Sequence, residues 1–493
     1  MLLEAPATTT QTTPALAPCA SVIREISADL ETPISVYMKL RGEGASFLLE
    51  SVEGGERIAR YSFIGIKPRA QYIIRDNEIE IKEEAGTRTV NNDADPTYFL
   101  QQEMARFNLS AQAGVPRFIG GLVGYLGYES VRFFEPTLRP RMNRAELSQS
   151  IPDGIFLLAD TIVAFDHARR SLSLIANILN GDFDSANRKL DEIESRIHQP
   201  LPQTQPREVM SSKTRPNMTQ GRYEDMVREA KEHIAAGDIF QVVLSQRFTR
   251  ETNVEPFDVY RAVRRLNPSP YMFFFDFGIV GDEPLFIVGS SPEMFVRLEG
   301  QTASIRPIAG TRPRGADADA DAALAQELLA DPKERAEHVM LVDLSRNDFG
   351  RVCEYGTVRV SDFFTIEKYS HLMHIVSHVE GRLRPGFTAF DLVRAAFPHG
   401  TVSGAPKVRA LEIISDLEPD PRGAYAGMIG YFGFDGNMDT CLAIRTMVGH
   451  GNTFTVQAGA GIVADSNPTA EFQETVNKAS AMFKAIEMAE MNQ

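Results

Sequence analysis

Features that would place this protein in a special class are scarce in its sequence. Cysteine occurs three times in 493 residues, and Cys19, Cys353 and Cys441 follow no spacing typical of ligands or disulfides. The chain therefore gives no sign of a disulfide framework or a thiolate zinc site, and it suits a reducing compartment such as the cytoplasm. It also lacks any run of about 18 apolar residues, so we predict no membrane span.

Basic residues are also fewer than acidic ones. The chain has 51 Lys and Arg against 66 Asp and Glu, a formal net charge of -15, which disfavours a nonspecific nucleic-acid surface. The first basic side chain is Arg24, and MLLEAPATTTQTTPALAPCA before it lacks the charged start and apolar segment of a secretory signal. We predict that residues 1–20 form a disordered leader.

The rest of the composition is that of an ordinary globular protein, with 43% hydrophobic and 24% charged residues. Residues 199–218, QPLPQTQPREVMSSKTRPNM, contain four prolines and almost no apolar periodicity. Such a segment is typical of a linker. We therefore predict an N-terminal domain at 21–198 and a C-terminal domain at 219–493.

Strand-like and helical patterns occur on both sides of this linker. Residues 46–65 and 161–179 are predicted to be hairpins. Residues 220–236 and the segment from about Asn467 to Glu490 have the apolar spacing of helices. Between them, residues 321–344 are predicted to be helical with a break at Asp331-Pro332. Similar Gly-rich strands at 121–129 and 427–435 suggest close backbone approach.

Two pairs of glutamates stand out, because each pair is spaced to project from one side of a helix. Glu334 and Glu337 lie in ERAEHVMLVDLSRND, and Glu471 and Glu474 lie in EFQETVNK. Carboxylate oxygens are preferred by hard divalent cations such as Mg²⁺, which takes one or two of them beside an anionic substrate. An isolated Glu-x-x-Glu pair is more often a solvated helix face, so spacing alone leaves both interpretations open.

Other stretches have residue types suited to an anionic ligand. The run QAGAG, containing Gly459 and Gly461, could bring backbone N–H groups to a carboxylate, and GTVSGAPK supplies hydroxyls and a cation. A plain turn is an equal alternative for each. His371, His374 and His378 have valines at 376 and 379 between and after them, which favours a strand over a zinc-binding helix.

Seven motifs in order resemble the chorismate-utilising enzymes, and within them the family of the large subunit of anthranilate synthase (component I). They are IFQVVLSQRF, SSPEMF, RPIAGTRPRG, ERAEHVMLVDLSRNDFGRV, GTVSGAPKVRA, IGYFGFDGNMDTCLAIRT and VQAGAGIVADSNPTAEFQETVNKA. The resemblance covers about residues 21–488 and is more specific in the C-terminal half. It implies an α+β fold, a β-sheet sandwich with helices packed outside.

The resemblance also implies a lyase reaction. Ammonia would aminate chorismate at ring carbon 2 with loss of the carbon 4 hydroxyl, and pyruvate would then leave to give anthranilate, the first committed step of tryptophan biosynthesis. No glutaminase nucleophile motif surrounds any cysteine of the chain. A separate glutamine amidotransferase subunit (component II) is therefore implied, in a heterotetramer of two plus two.

Residue roles follow from the same resemblance. It implies Mg²⁺ held by Glu337 and Glu474 with support from Glu334 and Glu471. It implies Thr401 and the Gly310 backbone at the ring carboxylate, Arg445, Tyr425 and Gly459 at the enolpyruvyl carboxylate, and Gly461 nearby. Glu293 would be the general acid, His374 would assist pyruvate elimination, and Lys478 would balance the acidic cluster.

Two positions distinguish the branches of this family. Relatives that add water have a lysine base where this chain has Gln241, and relatives that aminate carbon 4 have a lysine nucleophile where it has Ala309. Neither glutamine nor alanine can do this chemistry. Both substitutions favour direct attack by ammonia at carbon 2. The nearest alternative is aminodeoxychorismate synthase component I, and an alternative of another class is a catalytically inactive binding protein.

A regulatory site is implied as well. Two motifs, LLES at 48–51 and NPSPYM at 267–272, resemble the tryptophan-feedback site of the family, formed between the domains. The implied inhibitor-binding residues are Leu49, Glu50, Ser51, Pro270, Tyr271 and Met272. Either Arg57 or Arg60 would add a basic contact.

Overall fold

The computed structural model describes residues 20–42, 44–51, 60–92, 95–107, 109, 114–142, 151–179, 182–203, 208–369 and 372–491. Within these ranges the chain forms α-helices and β-strands in comparable measure, so the predicted α+β class is confirmed. Of the predicted leader, all but Ala20 lies outside the described residues.

The helices are α1 (Pro33–Leu40), α2 (Pro96–Ala105), α3 (Val131–Phe134), α4 (Arg139–Met142), α5 (Phe183–Ile197), α6 (Gln220–Ala235), α7 (Pro256–Leu266), α8 (Ala318–Ala330), α9 (Pro332–Gly350), α10 (Ala389–Ala396), α11 (Lys407–Leu417) and α12 (Pro468–Met491). Among these described helices, none combines the length and the apolar content needed to cross a membrane.

The strands are β1 (Ala20–Ser27), β2 (Ser46–Glu50), β3 (Tyr61–Ile66), β4 (Ala70–Arg75), β5 (Glu78–Glu83), β6 (Gly86–Asn91), β7 (Gly121–Leu126), β8 (Gly154–Ala159), β9 (Thr161–Asp166), β10 (Ser171–Ile178), β11 (Arg215–Pro216), β12 (Gln241–Glu251), β13 (Tyr271–Val280), β14 (Glu283–Ser291), β15 (Met294–Glu299), β16 (Thr302–Ile305), β17 (Ile308–Pro313), β18 (Arg359–Lys368), β19 (Leu372–Arg382), β20 (Gly404–Ala405), β21 (Met428–Gly433), β22 (Met438–Leu442), β23 (Thr446–His450) and β24 (Thr453–Ile462).

These strands form two antiparallel sheets. The first has the order β1-β10-β9-β3-β2-β13-β14-β23-β24-β12-β11, with β20 also paired to β12. The second has the order β17-β19-β16-β15-β22-β21-β7-β8-β4-β5-β6, with β18 paired to β19. Each sheet therefore contains strands from both sides of residues 199–218.

Two strand pairs join the two halves of the chain. In the first sheet β2 pairs with β13, so that Glu50 lies opposite Met272. In the second sheet β7 pairs with β21, and Gly124 lies opposite Gly430. A Cβ atom on Gly124 would lie 1.9 Å from the Ile155 carbonyl oxygen, which confirms the close backbone approach predicted for the Gly-rich strands. The domain boundary at 199–218 stays a prediction, since both halves share one core.

The sheets pack face to face, as the predicted sandwich requires. Phe63 of the first sheet contacts Tyr431 of the second with ring centroids 6.1 Å apart, and Tyr125 of the second contacts Phe277 of the first at 5.8 Å. The other face of the first sheet is covered by α1, α5, α7 and α12, which bury a second apolar cluster with it. The hydrophobic effect thus fixes a layered arrangement with helices outside.

The break between α8 and α9 is set by local chemistry. Pro332 occupies the first turn of α9, where its missing N–H would be unpaired in any case. The Asp331 carboxylate caps the helix by accepting hydrogen bonds from the backbone N–H groups of Lys333 and Glu334. The predicted break is confirmed, and it fixes where the Glu334–Glu337 pair begins.

Candidate active site

A cavity of about 340 Å³ lies between the ends of both sheets and the helices α9 and α12. It contains eleven residues singled out by the sequence analysis, together with Ala309. These are Gln241, Glu293, Glu337, His374, Thr401, Tyr425, Arg445, Gly459, Gly461, Glu474 and Lys478. Residues from widely separated parts of the chain, from β12 to α12, therefore meet at one place, which is typical of an active site.

The two glutamate helices face each other across this cavity, because Glu337 of α9 and Glu474 of α12 both line it. Burial raises the pKa of Glu337, and the negative charges of Glu334 and Glu474 raise it further, against a hydrogen bond from Gln241. That hydrogen bond joins Gln241 Nε2 to Glu337 Oε1 over 3.2 Å. Crowded, desolvated carboxylates of this kind favour a bound cation.

The other two glutamates lie outside the cavity lining. Glu334 Oε1 accepts a hydrogen bond from Arg312 Nη1 at 3.3 Å. The pKa of Glu471 is raised by burial, against a hydrogen bond from Ser466. No group of three or more His, Cys, Asp or Glu side chains in the described part of the chain is arranged to hold a metal ion. Glu337 and Glu474 alone would therefore offer a cation two carboxylates, which suits Mg²⁺, since Mg²⁺ is often bound by one or two carboxylates together with water and substrate.

Positive charge enters the cavity from Arg445 and Lys478. Arg445 lies in the left-handed backbone region with φ of 50°, and its Nη1 donates to the Lys478 carbonyl at 3.2 Å. Lys478 Nζ lies 2.6 Å from Glu474 Oε1 and donates to the Gly459 carbonyl. A Cβ atom on Gly459 would lie 2.7 Å from the Tyr425 hydroxyl. A side chain at position 459 would therefore press on the Tyr425 hydroxyl, and the Gly459 carbonyl is already engaged by Lys478.

Glu293 is a carboxyl group suited to proton transfer. Burial raises its pKa to about 7, although the hydrogen bond from Thr401 and the charge of Lys478 act in the opposite direction. Thr401 Oγ1 lies 2.7 Å from Glu293 Oε1. A group with a pKa near neutrality is half protonated at working pH and can serve as a general acid.

His374 lies on β19, as the alternation with valine predicted. Its Nδ1 lies 3.0 Å from the Gly310 carbonyl oxygen and 3.1 Å from Thr311 Oγ1. Since a carbonyl only accepts, Nδ1 carries the proton and Nε2 keeps a lone pair. Burial lowers the pKa of His374, which favours the neutral form that can act as a base. His371 lies outside the described residues.

A second, smaller cavity lies between the paired strands β2 and β13 and the opposite sheet. All six residues implied for inhibitor binding line it, together with Arg117, Tyr431 and Asp439. Glu50 Oε2 accepts hydrogen bonds from Tyr260 and Arg264. Among the described residues, Glu50 Oε1 and Ser51 Oγ are buried without a hydrogen-bond partner.

The basic contact implied for this cavity is not found at Arg60. Its Nη2 instead donates to Asp166 Oδ2 at 2.8 Å. Arg57 lies outside the described residues.

The sequence profile of the chorismate binding enzyme family matches residues 44–484. The chain belongs to this family. Anthranilate synthase component 1 of Pseudomonas aeruginosa is 45% identical over 477 residues, which cover 95% of each chain. The crystal structure of anthranilate synthase component I from Streptococcus pneumoniae is 36% identical, with a TM-score of 0.75, covering 93% of this chain and 98% of that one.

The fold extends further than the sequence likeness. The menaquinone-specific isochorismate synthase of Escherichia coli superposes with a TM-score of 0.71 at 19% identity, covering 97% of this chain and 96% of that one. The resemblance seen in the sequence motifs is thus confirmed, and so is the chorismate-utilising fold.

One residue next to the cavity of this chorismate-binding enzyme was not predicted from the sequence. His399 is buried beneath Thr401, with its Nδ1 2.7 Å from Thr401 Oγ1. His399 lies only two residues before Thr401 in the sequence, but this nearness does not by itself predict the contact between the two side chains. The lining of the cavity does not include three residues predicted for the site, namely Gly310, Glu334 and Glu471. The Gly310 carbonyl instead accepts the hydrogen bond from His374 Nδ1.

The crowding of carboxylates predicts that Glu337→Gln stabilises the protein in magnesium-free buffer near neutral pH. Because the folded-state pKa of Glu337 is raised, keeping the side chain ionised costs folding free energy above that pKa. The cost vanishes as the pH falls toward the ordinary glutamate value of about 4.3. Thermal unfolding should therefore show a higher midpoint for the variant at neutral pH and none of this gain near pH 4.

Glu232→Gln provides the matched control, since Glu229 and Glu232 form an exposed pair with the same spacing on α6. Its unfolding midpoint should equal that of the unmodified chain at both pH values. A lower midpoint for Glu337→Gln at neutral pH would show that Glu337 is stabilised as an anion.

Proposed function

We propose that the chain is the chorismate-aminating subunit of an anthranilate synthase. Ammonia adds to ring carbon 2 of chorismate, the carbon 4 hydroxyl leaves as water, and pyruvate is then eliminated to give anthranilate. The proposal places this reaction at the head of tryptophan biosynthesis in the cytoplasm. It is supported by the relatives named anthranilate synthase component 1 and by the residues that line the cavity.

The observation that carries the proposal is the absence of an amine nucleophile at two cavity positions. Ala309 and Gln241 both line the cavity, where a lysine would be needed to attack carbon 4 or to deprotonate water. The basic residues that line it are Lys478 and Arg445. Arg445 donates to the Lys478 carbonyl on α12, and Lys478 donates to the Gly459 carbonyl on β24. An external amine must therefore supply the nitrogen.

Substrate binding uses the positive and small residues of the cavity. We assign the enolpyruvyl carboxylate to Arg445, Tyr425 and the backbone at Gly459, because guanidinium and N–H groups bind carboxylates strongly. The ring carboxylate is assigned to the side of the cavity where Glu337 and Glu474 meet, because the N–H and the hydroxyl of Thr401 already contact His399 and Glu293. These glutamates would hold Mg²⁺, which would supply positive charge to neutralise the ring carboxylate.

Two residues move protons. Glu293 donates its proton to the carbon 4 oxygen as the carbon–oxygen bond breaks, so that water leaves while ammonia forms the bond to carbon 2. In the second stage, His374 accepts the carbon 2 proton on Nε2 while the bond between carbon 3 and the enolpyruvyl oxygen breaks. The enolate of pyruvate leaves and takes up a proton to become pyruvate. The hydrogen bond from Nδ1 to the Gly310 carbonyl holds the ring in the form that can do this.

One assay tests the reaction. The purified chain is incubated with chorismate, Mg²⁺ and an ammonium salt at alkaline pH, and the product is identified by fluorescence and mass. We expect anthranilate and pyruvate, with turnover lost when Mg²⁺ is chelated. Formation of 4-amino-4-deoxychorismate would show instead an aminodeoxychorismate synthase component I, and the absence of any product would show a binding protein.

Ammonia is proposed to come from a glutamine amidotransferase partner, in a two-plus-two assembly. An apolar groove on the surface is lined by α9 and β18, and it shares Gln241 and Glu337 with the catalytic cavity. Within the described chain, Gln241 Oε1 is buried without a hydrogen-bond partner, so it can accept a hydrogen bond from entering ammonia. We place the partner over this groove.

The docking proposal predicts that Phe363→Glu separates two activities. Phe363 is 55% exposed at the groove, and a charge there would oppose an apolar contact. With the partner present, glutamine-dependent anthranilate formation should fall at least tenfold, while ammonium-dependent formation stays unchanged. Ile279→Glu is the control, because Ile279 is equally exposed at 56% but lies outside the groove. Equal losses of both activities would contradict the docking site.

Feedback inhibition by L-tryptophan is proposed at the second cavity. Glu50 Oε1 and Ser51 Oγ are acceptors without partners among the described residues, which suits the α-ammonium group of an amino acid. The cavity volume is only about 40 Å³, a few times the roughly 10–15 Å³ that a single water molecule needs. Tryptophan would have to move side chains in order to bind.

This site predicts that Ser51→Phe reduces tryptophan inhibition while sparing turnover. A phenyl group at this buried position would fill the space that the ligand needs. The inhibition curve for anthranilate formation should shift to at least tenfold higher tryptophan. Ser51→Ala, which removes only the hydroxyl, should give a smaller shift. Full inhibition of Ser51→Phe would remove Ser51 from the site.

A further inference from the structure

Three polar side chains, Glu293, Thr401 and His399, form a continuous hydrogen-bonded row that begins at the wall of the cavity. Thr401 Oγ1 lies 2.7 Å from Glu293 Oε1 on one side and 2.7 Å from His399 Nδ1 on the other. Glu293 and His399 are 8% and 2% exposed, so water cannot easily replace either contact. The proton of the Thr401 hydroxyl is therefore shared between two buried acceptors.

The acceptor role of His399 follows from a second contact. The backbone N–H of Thr401 points at His399 Nδ1 over 3.2 Å, so this nitrogen carries the lone pair and the ring proton is on Nε2. Burial lowers the pKa of His399 to about 3, and the charge of Lys407 adds to this. The imidazole is thus neutral, and Nδ1 accepts hydrogen bonds at any working pH.

One hydroxyl proton cannot serve both neighbours at once. If Glu293 is ionised, the Thr401 O–H donates to the carboxylate, and His399 Nδ1 then faces Glu293 Oε1 at 3.5 Å without that proton between them. If Glu293 is protonated, its O–H donates to Thr401 Oγ1 and the Thr401 O–H donates to His399. His399 Nδ1 keeps the Thr401 N–H in both arrangements, but only the second makes a hydrogen bond of both hydroxyl contacts, from Glu293 to Thr401 and from Thr401 to His399.

We propose that His399 is a positioning residue that draws the Thr401 hydroxyl proton away from Glu293 and so keeps Glu293 protonated for departure of the carbon 4 hydroxyl. The inference rests on the proposed function. In the step, the Glu293 O–H turns from Thr401 to the leaving oxygen and gives it its proton, the carbon 4–oxygen bond breaks to release water, and ammonia forms the bond to carbon 2. The Thr401 O–H then turns from His399 to the new carboxylate.

The charged groups around the row do not provide this effect themselves. Lys478, on α12, faces Glu293 and lowers its pKa, which opposes protonation. Lys407, on α11, faces His399 but is paired with Asp348 at 2.8 Å. Apart from desolvation, the feature of this row that favours protonated Glu293 is therefore the acceptor atom Nδ1 of His399. The other titratable residues of the cavity, His374, Tyr425, Glu337 and Glu474, keep the same surroundings when His399 is replaced.

The test compares His399→Leu with His399→Asn. Leucine removes the acceptor, so the Thr401 hydroxyl is free to stabilise ionised Glu293. Asparagine keeps an acceptor oxygen close to the position of Nδ1, and it also keeps the cap on the Thr401 N–H. The measurement is the pH dependence of kcat/KM for chorismate at a fixed concentration of free ammonia, with thermal unfolding of each variant as a check of folding.

Activity should fall as the pH rises through the pKa of Glu293, because a general acid must be protonated. In His399→Leu this alkaline limb should move to lower pH by about one unit, the size expected for one hydrogen bond to a charged group. In His399→Asn the limb should stay where it is in the unmodified chain.

A uniform loss of activity in His399→Leu with an unmoved limb would show a purely structural role and overturn the proposal. A shift to higher pH would also overturn it, as would an equal shift in His399→Asn. If His399→Leu does not fold, His399→Gln takes its place, since its oxygen lies farther out than Nδ1 and should give the same shift as leucine. A failure of the proposed function is separate, since the unmodified chain would then form no anthranilate at all.

Discussion

Hydrogen bonds between strands on opposite sides of residues 199–218 are the constraint on which the rest of the structure depends. Because β2 pairs with β13 and β7 pairs with β21, each sheet is completed by the other half of the chain. The second cavity exists only because the β2 ladder brings Ser51 close to Tyr271. The catalytic cavity lies at the ends of the same sheets, so both cavities depend on one shared core.

Burial has two different outcomes for the carboxyl groups of the catalytic cavity. Glu293 faces a hydroxyl and an ammonium group, and its proton is held at a pKa of about 7. Glu337 faces the carboxylates of Glu334 and Glu474, and burial and these charges raise its pKa against the hydrogen bond from Gln241 and the charge of Lys333. Burial thus raises the pKa at both walls, but Glu293 has a hydroxyl beside it and Glu337 has further carboxylates, the arrangement proposed above to hold Mg²⁺.

The sequence predicted local structure well, because the signals were local. Pro332 and Asp331 mark the start of α9, and the valines beside His374 indicate a strand. The spacing of Glu334 and Glu337 placed both on one side of a helix. It could not show which of them reaches the cavity, because that depends on the hydrogen bond that Arg312 donates to Glu334. Strand order across the chain was also beyond reach, because alternation reveals which residues face the core but not which strands pair. For the same reason, only the folded chain shows that His399 lies under Thr401.

The pairing of β13 with β14 has a mechanical consequence. Tyr271, in the wall of the second cavity, lies opposite Ser291 in this ladder. Glu293 follows Ser291 by two residues, and its own carbonyl accepts a hydrogen bond from the Leu442 N–H. β14 ends at Ser291, so Glu293 lies in the two-residue connection that leads to β15. A shift of β13 against β14 would therefore act on the chain two residues before the proposed acid, and the two cavities share this one stretch of sheet.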